Sequence, residues 1–547
     1  MPASDSDLLS IPSSRFASEP VRAFIEGRNL DLLAPLEFHR PGTDLELYPR
    51  QVDRRALAEE MARANTSYGH PRAEEQAALL ADPATVVIVT GQQAGLLGGP
   101  LFSLTKMVGA AKWAASLRDQ GVPAVAVFWV ATEDHDYAEI AHCTLQKGAV
   151  QDVLETRRVE LQADAQPLMP VGMRTLGSTV ESVLAETAEI YQSEHAAVTL
   201  RALQSFYRPD ARIGEAFARF MVWMLKERSP LLLDSMLPAL KEAERPWLKA
   251  LVERRGEVAT VLSAAEARVQ ASGLKLQVKA QPKASLLFQL CGNRRCRIVW
   301  SGDRSYELRG AEESEAAPRS VEELLKTIDE NPAVISPGVL ARPLVQDAVL
   351  GSSLQLMGPG ELSYMTQASA LYSLFDIDPP ATALRPQIMV LGAALTRRLE
   401  KLGLTLEEAL RHESEVDDWL ARRSAPDLVE SSRGRILAEI DSLRTDALQI
   451  DPQLDRPWQK TRAQIERALE AFSMRLRSAA ARLDKTAGQR LDAIRSACLP
   501  DGAPQERVLS VAHFALVYGQ DFAAAVWEQM DHDSDRIQII DPAAGRE

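Results

Sequence analysis

Two stretches decide the fold: Val86-Val-Ile-Val-Thr-Gly-Gln-Gln-Ala-Gly-Leu-Leu-Gly-Gly-Pro100 and Ala124-Val-Ala-Val-Phe-Trp-Val-Ala-Thr-Glu-Asp-His-Asp136. Val86–Val89 is a short β-branched run behind the helix-breaking pair Asp82-Pro83, and it predicts a buried strand. Gly91 to Pro100 is a glycine-rich loop. Leu104, Met107, Val108, Ala111 and Ala115 then recur at helical spacing until Gly121-Val-Pro123 stops the pattern. Ala124–Ala131 is apolar at every position, as a strand inside a parallel sheet is. Strand, loop, helix and strand make a right-handed crossover, so both post-strand loops emerge on one edge. Open α/β sheets bind their ligands along that carboxyl edge.

Working outward, a chain of 547 residues is too long for one ordinary core and fits about three domains. Apolar residues at 46% and charged residues at 25% are the balance of a globular protein. With 62 basic against 76 acidic residues the formal charge is −14, which disfavours nucleic acid and anionic membranes as partners. The longest near-continuous apolar run, Val122–Ala131, is about half of what a membrane-spanning helix needs. Met1-Pro-Ala-Ser-Asp shows no secretory signal, and four cysteines do not make a disulfide scaffold, so a reducing cytoplasm is the expectation.

Residues 1–150 read as the first part of the core, loop-rich to about residue 50 and helical over 51–80. Residues 151–270 read as mostly helical and rejoin the core near 200–235, with a strand at Pro230–Asp234. Residues 271–333 read as a small β-containing insertion, with strands at Leu274–Lys279, Ser285–Leu290, Arg297–Trp300 and Ser305–Leu308. Residues 334–397 return to the core: a strand near 353–357, the turn Gly358-Pro-Gly360 and a helix from Glu361 to Phe375. Over 398–498 the narrow stripes Ile436, Ile440, Leu443, Ala447, Ile450 and Ile465, Leu469, Phe472, Leu476, Ala479, Leu483 predict an antiparallel coiled-coil hairpin that pairs two copies. Residues 499–547 read as a segment packing back on the core.

Three constellations carry chemistry. In Thr90-Gly-Gln-Gln-Ala-Gly-Leu-Leu-Gly-Gly-Pro100, Gly91, Gly95, Gly98 and Gly99 admit close backbone approach, and the following helix start could hold a carboxylate or phosphate. Pro100 suits that helix's first turn. The spacing matches neither the phosphate-binding P-loop nor the dinucleotide fingerprint. A plain tight turn is the alternative. Thr132-Glu-Asp-His-Asp136 sets Glu133, Asp134 and Asp136 around His135, a grouping suited to acid–base work, to a divalent ion or to a substrate ammonium. A solvated acidic loop is its alternative. Gly358-Pro-Gly-Glu-Leu-Ser-Tyr364 offers a second helix start, Glu361 for an amine, and Arg342 with Gln346-Asp347 upstream. A structural cap is the competing reading there. Cys291-x4-Cys296 lacks the second pair a zinc site requires, so no tightly bound metal is expected. Cys143 beside His142, and the scattered His39, His70, His195, His412, His513 and His532, read as structural or solvated.

Together the Thr90–Pro100 loop, the strand ending Phe128-Trp-Val-Ala-Thr-Glu-Asp-His-Asp136 and Gly358–Tyr364 resemble the bacillithiol biosynthesis cysteine-adding enzymes. Arg342-Pro-Leu-Val-Gln-Asp347 and Gln505-Glu-Arg-Val508 fit the same pattern, and the resemblance spans roughly residues 20–540. His70 departs from the family's more usual asparagine before proline and is left out of the site. The resemblance implies a Rossmann-like core with inserted connecting domains and a coiled-coil homodimer. It implies addition of L-cysteine to the amine of glucosaminyl-malate, the last step to bacillithiol. Amide formation from a free carboxylate is uphill in water, so an activating cosubstrate is needed, and ATP with Mg²⁺ is the natural candidate. With the reaction supplied by the resemblance, the acidic loop at the strand's carboxyl end makes Glu133, Asp134, His135 and Asp136 the catalytic candidates, with His135 as the base and its pKa expected to be raised by the neighbouring carboxylates. The substrate-binding candidates are Thr90, Gly91, Gln92, Gln93, Gly95, Gly98, Gly99, Arg342, Gly358, Gly360, Glu361 and Tyr364. A catalytically quiet nucleotide- or sugar-binding scaffold, whose coiled coil recruits a partner, is the competing reading.

Overall fold

The computed structural model describes residues 11–148, 153–278, 283–312, 317–411, 430–483 and 485–543, with positions 9, 415 and 419 besides. His412 and parts of the 398–498 stretch lie outside the described residues. The chain divides into two compact units: residues 11–147, 155–392 and 500–547 form one, and residues 393–499 are the bulk of the other.

The first unit is built on a six-stranded sheet of Phe38–His39 (β1), Val86–Gln92 (β2), Ala124–Val130 (β3), Leu231–Asp234 (β4), Ser352–Met357 (β5) and Ala381–Leu384 (β6). Its spatial order is β1-β6-β5-β2-β3-β4, and every neighbouring pair is parallel. β2 and β3 pair from Val86 with Ala124 to Gln92 with Val130, and all of β3 is buried between β2 and β4. Val87, Val89, Val125, Val127 and Trp129 face one helical layer, whereas Val86, Ile88, Ala124 and Ala126 face the helix Phe102–Asp119 (α1). This period-2 division gives each face its own core, and each large aliphatic chain buried contributes about 1.5–3 kcal/mol. From β2 the chain winds outward through β3 to β4, then returns on the other side of β2 as β5. The β2/β5 seam is therefore a topological switch point, where a crevice opens beyond the strand ends.

The insertion is a five-stranded sheet in the order Arg319–Ser320, Ser305–Arg309, Arg294–Gly302, Ala284–Cys291, Ile335–Pro337, with all neighbours antiparallel. The expected strand at Leu274–Lys279 does not form over 274–278: the Val278 backbone is met by the Gln367 side chain instead of a ladder partner. A hairpin of His142–Lys147 with Glu155–Glu160 interrupts the stretch read as helical. A separate three-stranded sheet joins Ile11–Pro12, Arg536–Ile540 and Gln387–Val390.

In the second unit, Glu430–Ile450 and Asp455–Leu483 are long helices joined through Pro452–Leu454. Ion pairs Arg444–Asp455, Arg462–Asp441 and Arg433–Glu466 step in opposite directions along the two, so they run antiparallel. Ile436, Leu443, Ile450, Phe472 and Met474 stay exposed. No helix among the described residues is long and apolar enough to cross a membrane.

Candidate active site

The carboxyl edge collects the quoted loops. Thr90 Oγ1 donates to the Leu356 carbonyl at 2.9 Å, which spends its hydroxyl on tying β2 to β5. Gln93 Nε2 donates to Asp134 Oδ2 at 2.9 Å, joining the loop after β2 to the acidic loop after β3. The acidic loop is pinned to the end of β4, because the Glu133 amide donates to Ser235 Oγ at 3.0 Å. Beyond β5 follows the helix Pro359–Ala368, preceded by the helix Arg342–Leu350. Arg342 donates to Tyr364 Oη at 2.8 Å and, within its own helix, to Gln346 Oε1 at 3.2 Å, so the start of the earlier helix is tied to the middle of the later one. Burial pushes the Tyr364 hydroxyl up to about 12.

At the centre is a residue the sequence did not single out. Lys106, on α1, is 2% exposed. Its ammonium donates to the Gly91 carbonyl at 2.5 Å, to Gln92 Oε1 at 3.0 Å and to Glu361 Oε2 at 2.5 Å. Burial lowers its pKa, while Glu361 works to restore it. Glu361 Oε2 also accepts from the Gly358 amide at 2.7 Å. Glu133 is equally buried: its Oε2 accepts from Lys241 at 2.5 Å, and Lys241 donates again to Glu244 at 2.9 Å. Burial raises Glu244 to about 7, with Lys241 opposing and Glu133 adding to the rise.

The insertion supplies Arg295, 7% exposed and stacked 3.9 Å over the Phe288 ring. It donates to Ser336 Oγ at 2.9 Å, to the Pro337 carbonyl at 3.0 Å, and to both Asp134 Oδ1 and His135 Nδ1 at 3.3 Å. A guanidinium cannot accept, so Nδ1 of His135 is the acceptor, and in the neutral ring the proton sits on Nε2. Burial and then Arg295 push the His135 pKa below its ordinary value, outweighing Asp134 and Asp136. This overturns the expectation that neighbouring carboxylates raise it. His135 is a neutral imidazole whose Nε2–H is a donor, which suits it to an oxyanion better than to the role of base.

Both helix-start anion cradles are closed. The Leu101 amide donates to the Leu509 carbonyl at 2.8 Å and the Ser103 amide to the Pro100 carbonyl at 2.8 Å. α1 starts at Phe102, and Pro100 instead bridges to Ser510 rather than opening the first turn. Gly95, Gly98 and Gly99 serve packing: a Cβ on Gly95 would lie 2.6 Å from the Gly99 Cα, and one on Gly98, at φ +89°, 2.8 Å from Phe220. The Gly98 amide donates to Tyr207 Oη at 3.1 Å, not into the crevice. At the second helix start the Gly358 amide already faces Glu361, whose charge repels an anion, and Gly360 is exposed with nothing beside it. Asp136 is exposed and caps the short helix Tyr137–Ile140 by accepting from the Glu139 amide at 3.2 Å.

The structure thus brings together Gly91, Gln92, Gln93, Glu133, Asp134, His135, Arg342, Gly358, Glu361 and Tyr364, and leaves Gly95, Gly98, Gly99, Gly360 and Asp136 in packing, surface or capping positions. Lys106, Lys241, Glu244 and Arg295 are the partners sequence reasoning missed. Lys106 had a signal: it is the lone charge in the otherwise uncharged stretch Phe102–Ala111 at the start of α1. Arg295 had none, because nothing local ties 295 to 134. Burial raises the Glu139 pKa and Asp136, Asp134 and Glu361 add to the rise against Lys106, so the acidic loop and Glu361 both lie within electrostatic reach of that side chain. The arrangement offers cations (Arg342, Arg295) for carboxylates and carboxylates (Glu361, Asp134) for ammonium groups, with the insertion reaching the acidic loop through Arg295. Among the described residues no three His, Cys, Asp or Glu side chains converge as metal ligands.

Comparison with known proteins agrees across the chain. Residues 38–386 match the family model "Bacillithiol biosynthesis BshC, N-terminal Rossmann-like domain", and residues 388–542 match "Bacillithiol biosynthesis BshC, C-terminal coiled-coil domain". Proteins named "Putative cysteine ligase BshC" resemble it over most of their length. The one from Solibacter usitatus is 28% identical over 468 residues, 84% of this chain and 86% of that protein. The one from Salinibacter ruber is 28% identical over 508 residues, 90% and 89% of the two chains. The one from Symbiobacterium thermophilum is 29% identical over 505 residues, 87% and 88%.

Proposed function

The chain belongs to the bacillithiol biosynthesis BshC family, and from that membership we propose that it is a cysteine ligase, joining L-cysteine to the amine of glucosaminyl-malate by an amide bond. The observation that carries the reading is the cluster of mixed charge at the β2/β5 switch point. The malate carboxylates suit Arg342, whose guanidinium is already oriented by Tyr364 and Gln346. The ammonium groups suit Glu361 and the acidic loop. His135, with its Nε2–H, suits the oxygen of the carboxyl group under attack, where charge develops.

Activation of the cysteine carboxylate by ATP with Mg²⁺ is part of the same proposal. The closed helix starts do not fit a phosphate cradle, so the nucleotide would rely on side-chain cations, and Asp134 or Asp136 would hold its ion. A reducing cytoplasm fits the four cysteines, all present as thiols. The scaffold reading gains nothing from so many buried ion pairs at the strand ends, which cost desolvation and are retained where a site needs them.

The test is turnover of cysteine and glucosaminyl-malate by purified protein with and without ATP and Mg²⁺. Product only with the nucleotide supports the whole proposal. Product from free cysteine without it refutes the activation step alone.

A further inference from the structure

Lys106 occupies a position no ordinary core lysine would. It sits on the buried face of α1, reaches the carboxyl edge, and places one N–H on each of three acceptors: the Gly91 carbonyl, Gln92 Oε1 and Glu361 Oε2. An ammonium has three hydrogens, so it has none left for a substrate. Its acceptors come from the two sides of the switch point, β2 and the helix after β5. Glu361 divides its oxygens in turn. Oε2 takes Lys106 and the Gly358 amide, while Oε1 has no partner among the described residues and the side chain is 21% exposed. A carboxylate with one oxygen locked from behind and the other open to the crevice is preorganised to accept from a cation. Arg342 lies close enough to act on Glu361 electrostatically. A cation site beside a carboxylate site matches a ligand carrying an ammonium and a carboxylate a few atoms apart.

We infer that Glu361 Oε1 receives the primary ammonium of a carboxylate-bearing substrate and that Lys106 is the positioning residue that aims it. This rests on the ligase reading and adds to it a named ammonium site with its support. Cysteine and glucosaminyl-malate both carry the required chemistry, and the experiment separates them.

Binding is measured by calorimetry on the full-length protein for two pairs of ligands. One pair is cysteine and 3-mercaptopropionate, which lacks the ammonium. The other is glucosaminyl-malate and glucosyl-malate, which carries a hydroxyl in place of the amine. For the pair seated on Glu361, the wild type should prefer the ammonium form by about 10-fold or more, the scale of one charge-assisted contact. In Glu361→Gln that preference should fall to near unity while the ammonium-free ligand binds as before. Gln at 361 can still accept from Lys106 and Gly358, so this variant keeps the local fold. Lys106→Met should lose the same preference, whereas a lysine of purely structural importance would weaken both members of a pair alike. Preference unchanged in Glu361→Gln for both pairs overturns the ammonium site. Preference lost in Glu361→Gln but kept in a folded Lys106→Met overturns the positioning role. A wild type that binds neither cysteine nor glucosaminyl-malate overturns the ligase reading, and the inference with it.

Discussion

His135 shows how far a single contact can redirect a role. From the sequence, three flanking carboxylates predict a raised pKa and a general base. In the structure burial, together with Arg295 from a distant insertion on Nδ1, tips the balance the other way. Removing the ring should cost about 10²-fold in turnover. His135→Ala should therefore lose about that much with the fold retained, and near-normal turnover would contradict the assignment. Because the working form is neutral, acidification should abolish activity only below the ordinary histidine range of about 6.5. In Arg295→Met the pKa should rise under Asp134 and Asp136, and the acid limb of the pH–rate profile should move upward. Asp136→Asn should be mild by comparison, since asparagine caps a helix as well as aspartate does. The residue scale is also where sequence reading was weakest. The types at 133–136 and 361 were visible as chemistry, but their partners Lys106, Lys241 and Arg295 lie far along the chain, and pairing at that range is set by tertiary packing.

At the scale of elements the sequence was far more legible. β2, α1 and β3 follow from β-branched runs, a 3.6-residue apolar period and Gly or Pro stops, all local signals. Leu274–Val278 carried the same alternation as a strand and yet is none, because the Gln367 side chain meets its backbone. The glycine loop was legible as a tight turn, one of the two readings open for it, and the anion cradle failed because the Leu509 carbonyl, over 400 residues away, takes the amide. Gly98→Ala should therefore act on stability rather than on substrate affinity. A Cβ there meets Phe220 and Val511 at a positive φ, at a cost of about 1–3 kcal/mol from strain alone. Urea denaturation of the variant beside its KM values checks this; a raised KM with unchanged stability would restore a binding role to the loop. His513 makes a second element-scale case. Burial drives it down to about 3, so below about 6.5 the unfolded chain takes up a proton that the folded chain refuses. Stability should fall on acidification, by on the order of 1 kcal/mol per pH unit from this group. His513→Gln should flatten that slope, and an identical slope in both proteins would contradict it.

For the whole molecule, the parallel order β1-β6-β5-β2-β3-β4 places the switch point between β2 and β5, and the residues of the proposed mechanism stand on loops from that edge, on helices that reach it or on the insertion beside it. The hairpin unit carries the other consequence. Ile436, Leu443 and Ile450, seven residues apart, leave an apolar stripe exposed on one charged helix, and Phe472 is exposed on the other. Covering such a stripe with a second copy should give a dimer, twice the 60.1 kDa chain, by light scattering at micromolar concentration. Leu443→Glu with Phe472→Glu should return it to the monomer without unfolding, and a wild type already monomeric would contradict the pairing. A ligase at the switch point must join cysteine to glucosaminyl-malate, and mass spectrometry of the product reads that step. Purified protein given both substrates, ATP and Mg²⁺ should yield a compound of their summed mass less one water, reduced about 10²-fold in His135→Ala; no such compound from the wild type, or an undiminished yield from the variant, would contradict it.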